Sequence, residues 1–257
     1  MNAYAKLIAF QTIVIREIRR FMRIWPQTLV PPAVTMTLYF IIFGSLIGSR
    51  IGDMGGFDYM AFIVPGLIMM SVITNSYSNV VSSFFSMKFQ RSVEELLVSP
   101  VPNWVILAGY VVGGMARGLG VGLVVTLVSQ IFTDMTIHHG LITLLTVVLT
   151  SALFSVGGFI NAMLATKFDD VSIVPVFVLT PLTYLGGVFY SIDMLPAFWQ
   201  SVSQLNPILY MVNAFRYGIL GVSDVSIGFS LAMIGLFIVI LSGVALKMLA
   251  RGKGIRH

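Results

Sequence analysis

KFQRSVEELLVSPVPNW, residues 88–104, is a short charged interruption between two long apolar runs. Phe85, Phe89, Val93 and either Leu96 or Leu97 share one helical face, while Lys88, Arg91, Glu94 and Glu95 ring the other. Pro100 and Pro102 then end the helix, because proline removes a backbone donor and restricts the residue before it. The role of such a segment depends on the solvent that its flanks require.

Those flanks require lipid. Only 10% of the residues are charged and 57% are hydrophobic, whereas an ordinary soluble domain has roughly 25% charged residues. A spanning helix needs roughly 20 mostly apolar residues. Six stretches qualify, at about 28–48, 58–86, 104–132, 140–166, 171–191 and 228–250. The expected fold class is therefore all-α and integral to the membrane, with residues 1–257 forming one transmembrane domain. No soluble domain fits in the remainder, so any soluble activity belongs to another polypeptide. The N-terminal run is weakly apolar and lacks a small-residue cleavage site, so it is expected to stay attached. With no cysteine, disulfides and thiolate metal sites are excluded.

Lys and Arg collect in cytoplasmic loops. Placing both termini inside puts Lys6, Arg16, Arg19, Arg20, Arg23, Lys88, Arg91, Lys167, Lys247, Arg251, Lys253 and Arg256 on that side. Arg50 and Arg216 are then outside, Arg117 lies within the third span, and Asp53, Asp58, Asp134, Asp193 and Asp224 face outward. The basic balance follows from this retention and does not indicate nucleic-acid binding.

Ahead of the first span, Leu7, Phe10, Val14, Ile18, Phe21 and Trp25 fall on one helical arc, with Arg16, Arg19, Arg20 and Arg23 on the opposite one. Residues 1–26 are expected to form an interfacial helix on anionic headgroups, separated from the first span by Pro26, Pro31 and Pro32. Gly109, Gly113, Gly114, Gly118 and Gly122 in span three favour close helix packing. Arg117, in the middle of that span, must face protein or water. It either contacts an anionic part of a cargo or gate, or is held by carbonyls and polar side chains of a neighbouring helix.

Between the last two spans, GVFYSIDMLPAFWQSVSQLNPILYMVNAFRYGILG, residues 187–221, is too broken for one crossing. Asn206 before Pro207 suits a helix start. Two short helices dipping into the outer leaflet are expected, with Phe189, Tyr190, Phe198, Trp199, Tyr210, Phe215 and Tyr217 serving either as an interfacial belt or as cargo contacts. There is no GxxxxGK[ST] loop and no catalytic constellation. His138 and His139 are adjacent, a spacing that does not make a helical zinc pair.

Four segments together resemble the membrane subunit of an ABC-2 type transporter: IVIREIRRFMRIW, RSVEELLVSPVP, TPLTYLGGVFYSIDMLPAFW and LNPILYMVNAFRYGILG. The last carries Asn206, Pro207, Tyr210, Arg216 and Gly221 in the family pattern, and the resemblance covers essentially the whole chain. It implies an interfacial helix, five spans over 28–186, an outer re-entrant pair at 187–221 and a sixth span at 228–250. It implies that residues 88–98 form a coupling helix meeting a cytosolic ABC ATPase. Val93, Leu96 and Leu97 would be its apolar plug, and Arg91, Glu94 and Glu95 would set its register. Lys167, Phe168, Asp169 and Asp170 would make a smaller second contact. Arg117, Tyr184, Phe189, Tyr190, Asn206, Tyr210 and Arg216 would border the cargo path or its gate.

The same resemblance implies no cofactor in this chain, ATP and Mg in two copies of the partner ATPase, and a second permease copy in the inner membrane. The expected function is ATP-driven export of an amphipathic, lipid-like or drug-like cargo. A polysaccharide-type export permease, a secondary transporter and a structural membrane subunit are the alternatives. The secondary transporter is disfavoured because no acidic residue lies deep in a span.

Overall fold

In the computed structural model, residues 1–252 are described, and the side chains of Ser45, Ser49 and Leu97 fall outside that description, as do Lys253 and Arg256. The chain is helical almost throughout. Helix α1 runs Ala3–Arg23 and is capped by the Asn2 side chain, which accepts from the Ala5 N–H. After a break at Ile24, α2 covers Trp25–Tyr39, with Pro26 in its first turn, where no donor is lost. Pro31 and Pro32, expected to help break the chain here, lie inside α2 without stopping it. A π-helical stretch, Phe40–Gly48, and a single turn, α3 (Ser49–Ile51), complete this arm.

A two-residue hairpin follows, β1 (Asp53–Met54) against β2 (Phe57–Asp58). Its turn is Gly55–Gly56, both with positive φ, as a two-residue hairpin turn demands. Then come α4 (Tyr59–Phe89), α5 (Val93–Val98), α6 (Asn103–Ser129) and α7 (Gly140–Leu164). Helix α8 (Phe168–Val174) passes through a π-helical stretch, Pro175–Leu179, into α9 (Thr180–Tyr184). The chain ends with α10 (Ala197–Gln204), α11 (Pro207–Leu220) and α12 (Ile227–Arg251).

Among the described residues, five helical segments are long and apolar enough to cross a membrane: Trp25–Gly48, Tyr59–Phe89, Asn103–Ser129, Gly140–Leu164 and Ile227–Arg251. The chain is thus a multi-pass, all-α membrane protein. The stretch expected at 171–191 corrects to a helical run ending at Tyr184. Residues 185–190 turn away, with Gly187 at φ 71°, a conformation that costs glycine little. The run from Phe168 is continuous, but it falls short of the length of the other five.

Helix α4 is the centre of the bundle. Ile63, Val64, Leu67, Met69, Val72, Ile73, Val80 and Phe84 are each fully buried, so it is enclosed by protein where the other long helices keep an open face. Small residues set that enclosure. A Cβ on Gly158 of α7 would stand 2.5 Å from the Tyr77 carbonyl of α4, and one on Gly122 of α6 would stand 2.7 Å from Val72 Cγ2. Gly109 and Gly113 of α6 receive Ile13 and Glu17 of α1, one turn apart on both helices. The glycine series of the third span is thus used for packing. Phe84, Tyr110 and Phe159 close the centre, with ring centroids 4.3–5.6 Å apart.

Candidate functional site

The elements expected to meet a partner gather at the end of the bundle that carries α5. The helix expected over 88–98 is interrupted there. Helix α4 stops at Phe89, and Arg91 adopts φ 61°, a left-handed conformation uncommon for a residue with a side chain. Its N–H closes on the Lys88 carbonyl at 3.0 Å, ending α4 and turning the chain into the six-residue α5. The interruption reverses one assignment. Val93 is buried at 1% exposure, against the permease core, and Leu96 is partly buried there too. Glu94, Glu95 and Val98 point outward, Val98 with 85% exposure. The side chain of Leu97 lies outside the described residues.

Two contacts fix the end of α4, from which α5 hangs, to the bundle. Lys88 Nζ donates to the carbonyls of Met163 and Ala165 at 2.8 and 2.6 Å, satisfying acceptors at the C-terminus of α7. Phe168 packs between Phe85 and Phe89, with centroids 5.0 and 4.8 Å away. The second expected contact segment, 167–170, therefore sits beside the end of α4 and on the same side of the molecule as α5. Within it, Lys167 and Asp169 are exposed, while Asp170 is engaged. One oxygen of Asp170 accepts from the Thr166 hydroxyl at 2.7 Å, the Thr166 N–H at 2.8 Å and the Lys167 N–H at 3.0 Å.

Along the same end lies α1, with a buried acid that sequence reasoning passed over. Glu17 has no solvent exposure. Its Oε1 accepts from Ser83 at 2.8 Å and from Arg16 at 3.2 Å, and its Oε2 faces Arg20 Nε at 3.4 Å. Arg16 also donates to the Tyr110 hydroxyl, which in turn donates to the Met87 sulfur. Arg20 donates to both the carbonyl and the side-chain oxygen of Asn79, each at 2.8 Å. The packed stripe of α1 is thus Ile13, Glu17 and Phe21. It runs from the edge of the basic arc to Phe21 of the apolar arc, and it leaves Leu7 and Trp25 about half exposed.

Arg19 and Arg23 stay exposed and, with Arg16 and Arg20, line a cavity of about 850 Å³ between α1 and the end of α4. Ser71, Asn75, Asn79 and Ser83 form a buried polar file at four-residue steps on α4. Ser83 meets Glu17, Asn79 meets Arg20, and Asn75 accepts from Arg117 at 3.3 Å. Arg117 borders a second cavity of about 350 Å³ with Gln27, Thr28, Thr35 and Asn75.

The opposite end is held by Arg216. Counted among outer-loop cations in the sequence, it lies on the buried face of α11 with 1% exposure. It donates from Nη2 to the Gly187 carbonyl at 2.6 Å and from Nε to that of Phe62 at 3.4 Å, with its guanidinium 3.9 Å from the centre of the Phe62 ring. Asn206 caps α11 by accepting from Ile208 N–H and ties it to the Leu182 carbonyl. Tyr210 donates to the Gln204 carbonyl at 2.6 Å.

The sequence profile of ABC-2 type transporters matches residues 8–220. "Inner membrane transport permease YadH" of Escherichia coli strain K12 is 60% identical over 249 residues, covering 97% of each chain. The chain belongs to the ABC-2 type transporter family. "Nodulation protein J" of Rhizobium leguminosarum bv. viciae is a more distant relative, 22% identical over 83% of each chain.

The structure of this ABC-2 permease separates the residues expected at the cargo path. Arg117 borders a cavity. Tyr184 and Phe189 stack at 5.6 Å and join Tyr39 and Phe43 in one aromatic cluster between α9 and the first arm. Tyr190 is partly buried beside the turn into α10. Asn206, Tyr210 and Arg216 are engaged in internal hydrogen bonds. The signals available for what was missed were the single acid amid the arginines of residues 16–23 and the four-residue polar repeat of α4. Among the described residues, no group of His, Cys, Asp and Glu could hold a metal ion.

Proposed function

We propose that this chain is the permease subunit of an ATP-driven exporter of amphipathic, lipid-like or drug-like cargo in the inner membrane. The observation that carries the reading is the mounting of α5. A short helix with two exposed glutamates and an apolar tip is keyed by Val93 into the core and follows directly on α4, the most deeply buried helix of the bundle, whose end Lys88 ties to α7. A force applied to Glu94, Glu95 and Val98 reaches α4 directly, and α4 touches α6, α7 and α11. Packed interiors transmit such displacements because they are dense and not continuously deformable.

On this reading the α5 end is cytoplasmic and both termini lie inside. Helices α8 and α9 with their π-helical join make the sixth crossing, while α10 and α11 stay in the outer leaflet. Fourteen residues in α11 span about 21 Å, short of the roughly 17 residues that a crossing needs at minimum, a length that the run Phe168–Tyr184 just reaches. A cytosolic ABC ATPase, in two copies, binds ATP and Mg and docks on α5, with Lys167 and Asp169 beside it. Two permease copies form the pore.

The test is co-purification with candidate ABC ATPases of the source organism, followed by hydrolysis in lipid nanodiscs. Wild-type protein is expected to co-elute with an active ATPase. Glu94→Lys with Glu95→Lys is expected to release it while the permease remains monodisperse with an unchanged melting profile. Retention of the ATPase by the double variant overturns docking at α5, and failure of the wild type to hold an ATPase overturns the exporter reading.

A further inference from the structure

Helix α1 covers its buried acid, yet leaves two arginines without an ion pair among the described residues. Arg16 and Arg20 are engaged with Glu17, but Arg19 and Arg23 turn into the same cavity and find no carboxylate. Four guanidinium groups against one buried carboxylate leave the cavity strongly cationic. Guanidinium forks match phosphate oxygens geometrically. The cavity also has an apolar rim, Ile15, Ile24 and Met87, next to the exposed Ile8 and Met22 of α1. A soluble anion would have no use for that rim, whereas an acyl chain would.

The file Ser83, Asn79, Asn75 and Ser71 begins at this cavity and ends at the one bordered by Arg117. It therefore joins two cationic positions through hydroxyl and amide groups, one helical turn at a time. Burying such a file is costly unless each member finds partners. Here Asn79 and Asn75 accept from Arg20 and Arg117, guanidinium groups that could exchange onto a passing anion, while Ser83 donates to Glu17.

We propose that the arginine cavity binds the phosphate-bearing headgroup of a lipid taken from the adjoining leaflet, and that the α4 file leads this headgroup to Arg117. This names the cargo class of the export reading and rests on it for direction, but the binding step stands without an ATPase.

The experiment uses the full chain in phosphatidylcholine nanodiscs and measures affinity for acyl-labelled phosphatidylglycerol and phosphatidylcholine. Wild-type protein is expected to prefer phosphatidylglycerol by about tenfold, the equivalent of about 1.4 kcal/mol. Arg19→Gln with Arg23→Gln should lose that preference, since it leaves the Arg16–Glu17–Arg20 contacts in place. Lys247→Gln with Arg251→Gln, which removes equal charge from the end of α12, should keep it. An unchanged preference in the first variant, or equal loss in both, overturns the site. Displacement of the lipid by millimolar inorganic phosphate would identify a soluble-anion site and overturn the lipid assignment. With a partner ATPase present, Arg117→Met should retain binding and stop phosphatidylglycerol movement across proteoliposomes. Binding without movement in the wild type would defeat the export reading alone, whereas movement undiminished in Arg117→Met would defeat the path.

Discussion

Arg216 shows how much one buried cation does in this fold. Its guanidinium supplies the donor for the Gly187 carbonyl, which sits in a turn and has no helical neighbour to serve it, and it stacks on Phe62. Arg216→Met keeps the volume and orphans that carbonyl, at a cost of about 2 kcal/mol. In a chain of this size the melting temperature should fall by about 4–8 °C. Arg216→Lys should recover only part of the loss, because an ammonium cannot stack and fork at once. An unchanged melting temperature in Arg216→Met would show that the turn finds another donor. The Asn206–Pro207 cap was legible, since its signal is local. The burial of Arg216 was not, because the same arginine satisfies a charge count equally well in a loop. Glu17 was hidden for a related reason: amid four arginines it reads as a surface ion pair, and its enclosure comes from tertiary packing against Gly113 and Ser83.

At the scale of elements, backbone approach decides which glycines matter. Gly158 and Gly120 are both helical and both within long apolar runs. A Cβ on Gly158 would meet the Tyr77 carbonyl at 2.5 Å, and backbone cannot step aside as a side chain can, whereas a Cβ on Gly120 meets nothing within 4 Å. Gly158→Ala should therefore destabilise the α4–α7 pair by about 1–3 kcal/mol. Gly120→Ala should be neutral or stabilising by up to about 1 kcal/mol. Thermal melting of the two purified variants checks the contrast, and equal shifts would remove the close approach as its cause. Spacing alone singled out the α6 series and passed over Gly158, since the adjacent pair Gly157–Gly158 carries no helical period. The long spans were legible from apolar length. The break at Arg91 was not, because Phe89 and Val93 hold helical spacing whether or not the backbone between them is helical. The early stop at Tyr184 was masked by the apolar Val188 and Phe189 beyond it.

For the whole molecule, two exposed apolar faces look alike in composition and differ in what lies behind them. The face of α12 presents Leu236, Val239, Ile240 and Val244, which suits lipid as it stands. The other face is formed by α2 and the 168–184 run, where Leu38 and Phe177 are 53% and 72% exposed. Between them lies α4, whose Met70 and Thr74 border two cavities, one reaching Arg117 and the other Thr180 and Thr183. An arginine open to hydrocarbon costs roughly 2.5–3.5 kcal/mol even on insertion scales, so this face needs protein or water over it. The second copy proposed above would supply both, by enclosing the groove as a wet path. Because the natural sequence has no cysteine, paired substitutions report on this without background. Leu38→Cys with Phe177→Cys should give a covalent dimer with a flexible bis-maleimide in native membranes, and Leu236→Cys with Val239→Cys should not. A dimer from the α12 pair alone would move the interface to that face. Monomer from both pairs would leave Arg117 facing lipid and remove the second copy from the proposed assembly.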